Sequence, residues 1–118
     1  MPRHAGLLLL LLAACSMREQ PPEGAQGNEI YRMQNCANCH GPTGAGGSLA
    51  PPLEDLDRWW DEDSLAEYFV DPKAVQEKDE RLREQRKSYS ATMTSYANLS
   101  EDQRRTLARW LLAGGPKP

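Results

Sequence analysis

The sequence predicts a small all-α domain of three to four helices whose interior is completed by something other than its own side chains. Three observations carry this. Apolar residues recur at helical spacing near both ends of the chain's body. No strand-like alternation surrounds its central cysteine pair. With one Phe, three Trp and four Tyr in 118 residues, it has little from which to build an independent core.

The first helix is expected at 28–35, where Gly27, Ile30, Tyr31 and Gln34 share one face at i, i+3, i+4 and i+7. A second is expected at 61–70. It opens on the acids Asp61, Glu62 and Asp63 at its positive end, turns Leu65, Tyr68 and Phe69 toward the core or the group it encloses, and ends before Pro72. Residues 73–88 alternate charges, with Glu77 and Arg81 and likewise Asp79 and Arg83 at i, i+4, and read as a solvated helical face. The last helix starts from the capping box Ser100-Glu101-Asp102-Gln103 and runs through Thr106, Leu107, Trp110 and Leu111 until Gly114-Gly115-Pro116 stops it.

Residues 1–14 have the layout of a secretory signal peptide: Arg3 and His4, then an apolar run at 5–14 ending in small residues. That run is too short for a membrane span, which needs about twenty residues. The full chain carries a net charge of −3, and loss of Arg3 with the leader takes it to −4, which argues against a nucleic-acid partner. Leu12-Ala13-Ala14-Cys15 resembles the bacterial lipobox, in which the leader is cut before the cysteine and its thiol is lipidated. The expected product is exported and lipid-anchored through Cys15 to a bacterial membrane, facing the periplasm or the cell exterior. Residues 15–26, rich in Pro, Gly and polar side chains, read as the lipidated cysteine and a flexible linker; 27–113 form the domain and 114–118 a tail.

The remaining cysteines lie in Cys36-Ala37-Asn38-Cys39-His40. CxxCH is the attachment signature of c-type haem: each thiol adds to a vinyl group and the histidine ligates the iron. One helical turn places both sulfurs and the imidazole on the same side of a short segment. A thioredoxin-like dithiol would need a βαβ setting, and a zinc half-site would need a second ligand pair, whereas the other histidine, His4, falls in the leader.

Residues 27–113 then resemble a class I c-type cytochrome. After His40 come the glycine-rich Gly41-Pro42-Thr43-Gly44-Ala45-Gly46-Gly47 and Ala50-Pro51-Pro52-Leu53. The resemblance implies that a proline carbonyl, of Pro51 or Pro52, accepts the Nδ1 proton of His40, and it makes Leu53 a further haem-pocket candidate. It also implies a methionine as the second axial ligand. Met93, followed by Thr94-Ser95-Tyr96 and then Leu99-Ser100, matches the family segment except that Thr94 stands where the family often has proline. The family crosses its first and last helices through a Gly/aromatic pair and a Leu/aromatic pair, for which Gly27 with Tyr31 and Leu107 with Trp110 have the spacing. Trp59, Trp60 and Tyr89 are candidates either to donate to the haem propionates or simply to pack.

The function this implies is that of a membrane-tethered carrier with one covalently bound haem c, His40 and Met93 on its iron, and no catalytic residues. It would pass single electrons between redox partner proteins such as a donor complex and an oxidase or reductase. The alternatives are a permanent haem subunit of such a complex, and a ligand sensor or weak peroxidase should Met93 not ligate iron.

Overall fold

A computed structural model describes residues 19–117, so the expected leader and Cys15 lie outside the described residues. Helix α1 spans Gly27–Met33, α2 Ala37–His40, α3 Glu62–Val70, α4 Pro72–Lys78, α5 Glu80–Arg86 and α6 Glu101–Leu112, with a 3-10 turn at Leu56–Arg58. The all-helical expectation holds among the described residues, with more and shorter helices than the sequence suggested.

Helix α1 ends earlier than its periodicity indicated, because Asn35 takes a left-handed φ of 60° and breaks the ladder. Its inward face is the expected one: Gly27, Ile30, Tyr31 and Gln34 are all buried. Helix α6 begins at the expected capping box, in which Ser100 Oγ accepts from Gln103 N and Gln103 Oε1 accepts from Ser100 N. Asp61 caps α3 in the same reciprocal way with Ser64. Arg105 on α6 pairs with Glu62, Asp63 and Glu101 and so staples the start of α3 to α6. Arg105 and Glu62 are partly buried and Asp63 and Glu101 exposed, so water still screens the cluster and it adds modestly to stability.

The crossing of α1 over α6 is built on a missing side chain. A Cβ on Gly27 would lie 2.2 Å from Trp110 Cβ and 2.5 Å from its Cγ. The absence of that carbon lets Tyr31 and Trp110 meet with ring centroids 5.4 Å apart, tilted by 56°. Gly27→Ala would ordinarily help a helix by up to about 1 kcal/mol. Here the overlap decides the sign, and denaturant unfolding of the mature protein is expected to show a loss of about 1–3 kcal/mol. An unchanged midpoint would show that the helices separate freely.

Two expectations are corrected. The part of the expected flexible linker that the structure describes, residues 19–26, is packed against the domain. Gln34 Nε2 donates to Glu19 O at 2.8 Å, Gln103 Nε2 to Pro21 O at 2.9 Å, and Gln20 Nε2 to Asn98 O at 2.9 Å. The physical reason lies in the helices: Gln34 and Gln103 are buried amides that need partners, and the backbone of the segment supplies carbonyls. Pro21 and Ala25 are buried as a result.

The second correction concerns 73–88. This stretch is two helices, broken where Asp79 adopts an extended backbone and caps α5 through its Oδ1, which accepts from Arg81 N at 2.9 Å. The break resets the register, so the expected Glu77–Arg81 and Asp79–Arg83 pairs do not form among the described residues. Arg81 instead lies 3.8 Å from Asp79, and Arg83 donates to Glu77 O. Nor is the stretch wholly solvated: Gln76 and Leu82 are buried and Arg81 is partly so.

Candidate haem site

The α-helices enclose a cavity of about 470 Å³. Leu65 and Phe69 from α3, Leu82 from α5, and Leu107 and Leu111 from α6 supply apolar walls. Cys36, Cys39, His40, Pro51, Pro52, Leu53, Trp59, Trp60, Tyr89 and Met93 all line it, so the fold gathers every pocket residue singled out from the sequence that falls within the described region.

The cysteine pair is delivered by a tight turn. Cys36 N donates back to Tyr31 O at 3.1 Å, and Cys36 O then accepts from Cys39 N at 3.3 Å and His40 N at 3.0 Å, starting the single turn of α2. Cys36 and Cys39 are not joined by a disulfide. Tyr31 braces the turn from α1, its hydroxyl donating to Gly41 O at 2.7 Å. Burial, with the neighbouring Cys36 and Tyr96, pushes that phenol up to about 12, so it remains a proton donor throughout the physiological range.

His40 is oriented by a single bond, and the structure selects between the two prolines: His40 Nδ1 lies 2.9 Å from Pro51 O. A carbonyl oxygen only accepts, so Nδ1 carries the proton and the lone pair of the neutral ring is on Nε2. Burial holds the imidazole below its ordinary pKa, against the opposing pull of the Pro51 bond, which favours the neutral ring that a metal needs.

The position of Pro51 O depends in turn on Gly46. This residue has a φ of 70°, its N donates to His40 O at 2.8 Å, and a Cβ there would lie 2.5 Å from Pro52 N and 2.6 Å from Pro51 C. A side chain at Gly46 would displace the peptide that orients the imidazole.

Met93 lies in a non-helical segment held at both ends. Ser90 N and Ala91 N donate to Ser48 O and Leu49 O at 3.0 and 3.3 Å, while Tyr96 N donates to Phe69 O at 2.7 Å and Ser95 Oγ to Val70 O. These bonds fix the segment against the glycine-rich loop and the end of α3. A proline at position 94 is therefore not required to restrain it.

Trp60 is half-buried and meets Tyr68 with ring centroids 4.9 Å apart, tilted by 51°, whereas Trp59 is 57 % exposed at the cavity rim. Sequence reasoning missed Gln76, Arg81 and Leu82, which the α4–α5 pair also turns into the wall. Their signal was one leucine and one arginine in a charge-rich run, too weak to pick out once that run was read as a single solvated helix.

The family model described as Cytochrome c matches residues 24–114. No curated protein and no solved structure matches the chain. The prosthetic group of that family, haem c, fits the residues present. A large apolar cavity carries on its wall two thiols one turn apart, an imidazole whose Nε2 lone pair is left for a metal, and a thioether. Among the described residues no group of three or more His, Cys, Asp or Glu could hold a separate ion.

Proposed function

The chain belongs to the cytochrome c family, as a class I c-type cytochrome that holds one covalently attached haem c and transfers electrons, and from that premise we propose that His40 and Met93 are its two axial ligands. The observation that carries this reading is the bond from His40 Nδ1 to Pro51 O, with Met93 on the wall of the same cavity. When bound, the haem iron supplies the gain and loss of one electron. The chain's own residues do the rest. Cys36 and Cys39 attach the group, the Pro51 carbonyl holds the imidazole in one tautomer and one orientation, and the apolar walls exclude water. The Met93 sulfur, a soft donor, would favour the reduced state and raise the potential.

If His40 and Met93 both hold the iron, no position on it would be left for a substrate, which supports a carrier over an enzyme. Carbon monoxide tests this directly: the reduced protein at neutral pH is expected not to bind it, and rapid, complete binding would favour the sensor or peroxidase reading.

The second part of the proposal is a tether. Lipidation of Cys15 would hold the carrier at a bacterial membrane on its periplasmic or outer side, close to a donor complex and an oxidase or reductase as redox partners. At that effective concentration weak, quickly released docking suffices. Among the described residues no helix is long and apolar enough to cross a membrane. Cys15→Ala is expected to move the haem protein from the membrane fraction to the soluble fraction with its spectrum unchanged. Retention of the variant on membranes would overturn the tether and leave the ligand assignment standing.

A further inference from the structure

The wall made by α3, α4 and α5 collects hydrogen-bond donors that find no acceptor among the described residues. The Arg81 guanidinium lies 4.7 Å from the centroid of Trp59 and 5.6 Å from that of Trp60. Its side chain is only 30 % exposed, yet among the described residues its one ion-pair partner is Asp79 at 3.8 Å, beyond hydrogen-bond reach. Asp79 is already committed to capping α5.

Beside it, Gln76 Nε2 donates to the Tyr68 hydroxyl at 2.7 Å, while Gln76 Oε1 is buried without a partner. With the amide in this orientation the Tyr68 proton has no acceptor among the described residues; with it reversed, the Gln76 amide protons have none. Either way a donor is left over at the cavity wall. Tyr68, Gln76 and Arg81 all line the cavity, and Arg81 acts electrostatically on the Tyr68 phenol.

We propose that Arg81, held over the indoles of Trp59 and Trp60 and flanked by the Tyr68–Gln76 pair, is the cation that receives the two carboxylates of the haem. The α4–α5 pair is then part of the cofactor site. An ionised carboxylate brought into an apolar cavity needs a counter-charge and donors, and this cluster provides both in a partly desolvated setting where a guanidinium is worth more than at the surface. The other charged groups on the cavity wall are Glu54, Asp55 and Arg58 near the 3-10 turn and Arg86 at the end of α5. All four are exposed, so water screens them. The inference rests on haem c occupying the cavity and is independent of which side chains ligate the iron.

Redox titration of the mature haem protein between about pH 5 and pH 9, a range bracketing the upper reach of carboxylate titration, tests it. The unaltered protein is expected to show a nearly pH-independent midpoint, because Arg81 keeps the carboxylates ionised. Arg81→Gln is expected to lower the midpoint at every pH, since removing a positive charge favours the ferric state. It should also introduce a pH-dependent region as the carboxylates begin to take up protons on reduction. Arg81→Lys should retain most of the potential, and Lys87→Gln, an exposed change just past the end of α5, should alter neither quantity.

An Arg81→Gln protein with an unchanged midpoint and slope would overturn the proposal, as would an equal shift from Lys87→Gln. If Arg81→Gln fails to mature, Arg81→Lys decides. A haem-loaded lysine protein with a near-normal midpoint supports a role for the charge, whereas failure of both variants assigns Arg81 to packing and overturns it.

Discussion

Replacing Met93 with alanine is expected to lower the midpoint potential by on the order of 0.1 V or more, a fraction of the roughly 0.8 V range that axial ligands span. The thioether is the donor that favours ferrous iron, so its loss stabilises the ferric state selectively. The same variant should bind carbon monoxide rapidly when reduced, because the position proposed for the sulfur would become available to an external ligand. Stability should fall as well. Deleting a half-buried methionine side chain costs about 2 kcal/mol in packing, before any contribution from the proposed bond to iron. The segment should nevertheless keep its place, since the bonds of Ser90, Ala91, Ser95 and Tyr96 do not pass through the sulfur. A variant with unchanged potential and no affinity for carbon monoxide would show that Met93 is core filling.

Withholding the haem has a larger expected effect on folding. Substituting Cys36 and Cys39 with serine blocks attachment, and the resulting chain is expected to lose most of its helical circular dichroism. The magnitude follows from the cavity. At about 24 cal/mol per Å³, an empty space of about 470 Å³ represents roughly 11 kcal/mol, an upper figure because an open cavity partly collapses or fills with water. Small domains have only about 5–15 kcal/mol in total. The walls contain Leu65, Phe69, Leu82, Leu107 and Leu111, which without the group would face water or one another across a gap. Native helix content in the haem-free double variant would show that the core is self-sufficient.

Much of the candidate site's lining could be read from the sequence because its motifs are local. Cys36, Cys39 and His40 lie within one turn, and Met93 carries its aromatic, leucine and cap at short offsets. The capping box at Ser100 and the Gly27/Tyr31 and Leu107/Trp110 pairs were likewise visible as spacings, and the last two meet where α1 crosses α6. The choice of Pro51 over Pro52 was not legible, because which carbonyl turns toward Nδ1 depends on how Gly46 folds the loop underneath it.

The course of 73–88 was hidden for a different reason. A run of charges with correct i, i+4 spacing reads as one exposed helix, and only the extended backbone at Asp79 reveals two. That single break turns Gln76, Arg81 and Leu82 inward. The packing of residues 19–26 depends on long-range bonds with Gln34, Asn98 and Gln103, to which a reading of Pro and Gly content is blind.

X-ray absorption at the iron edge of the purified, matured protein tests the proposed coordination most directly. The expected result, in both the oxidised and the reduced protein, is a six-coordinate iron with one sulfur and five nitrogen neighbours, the sulfur disappearing in Met93→Ala. A five-coordinate iron, or a coordination shell without sulfur in the unaltered protein, would contradict it.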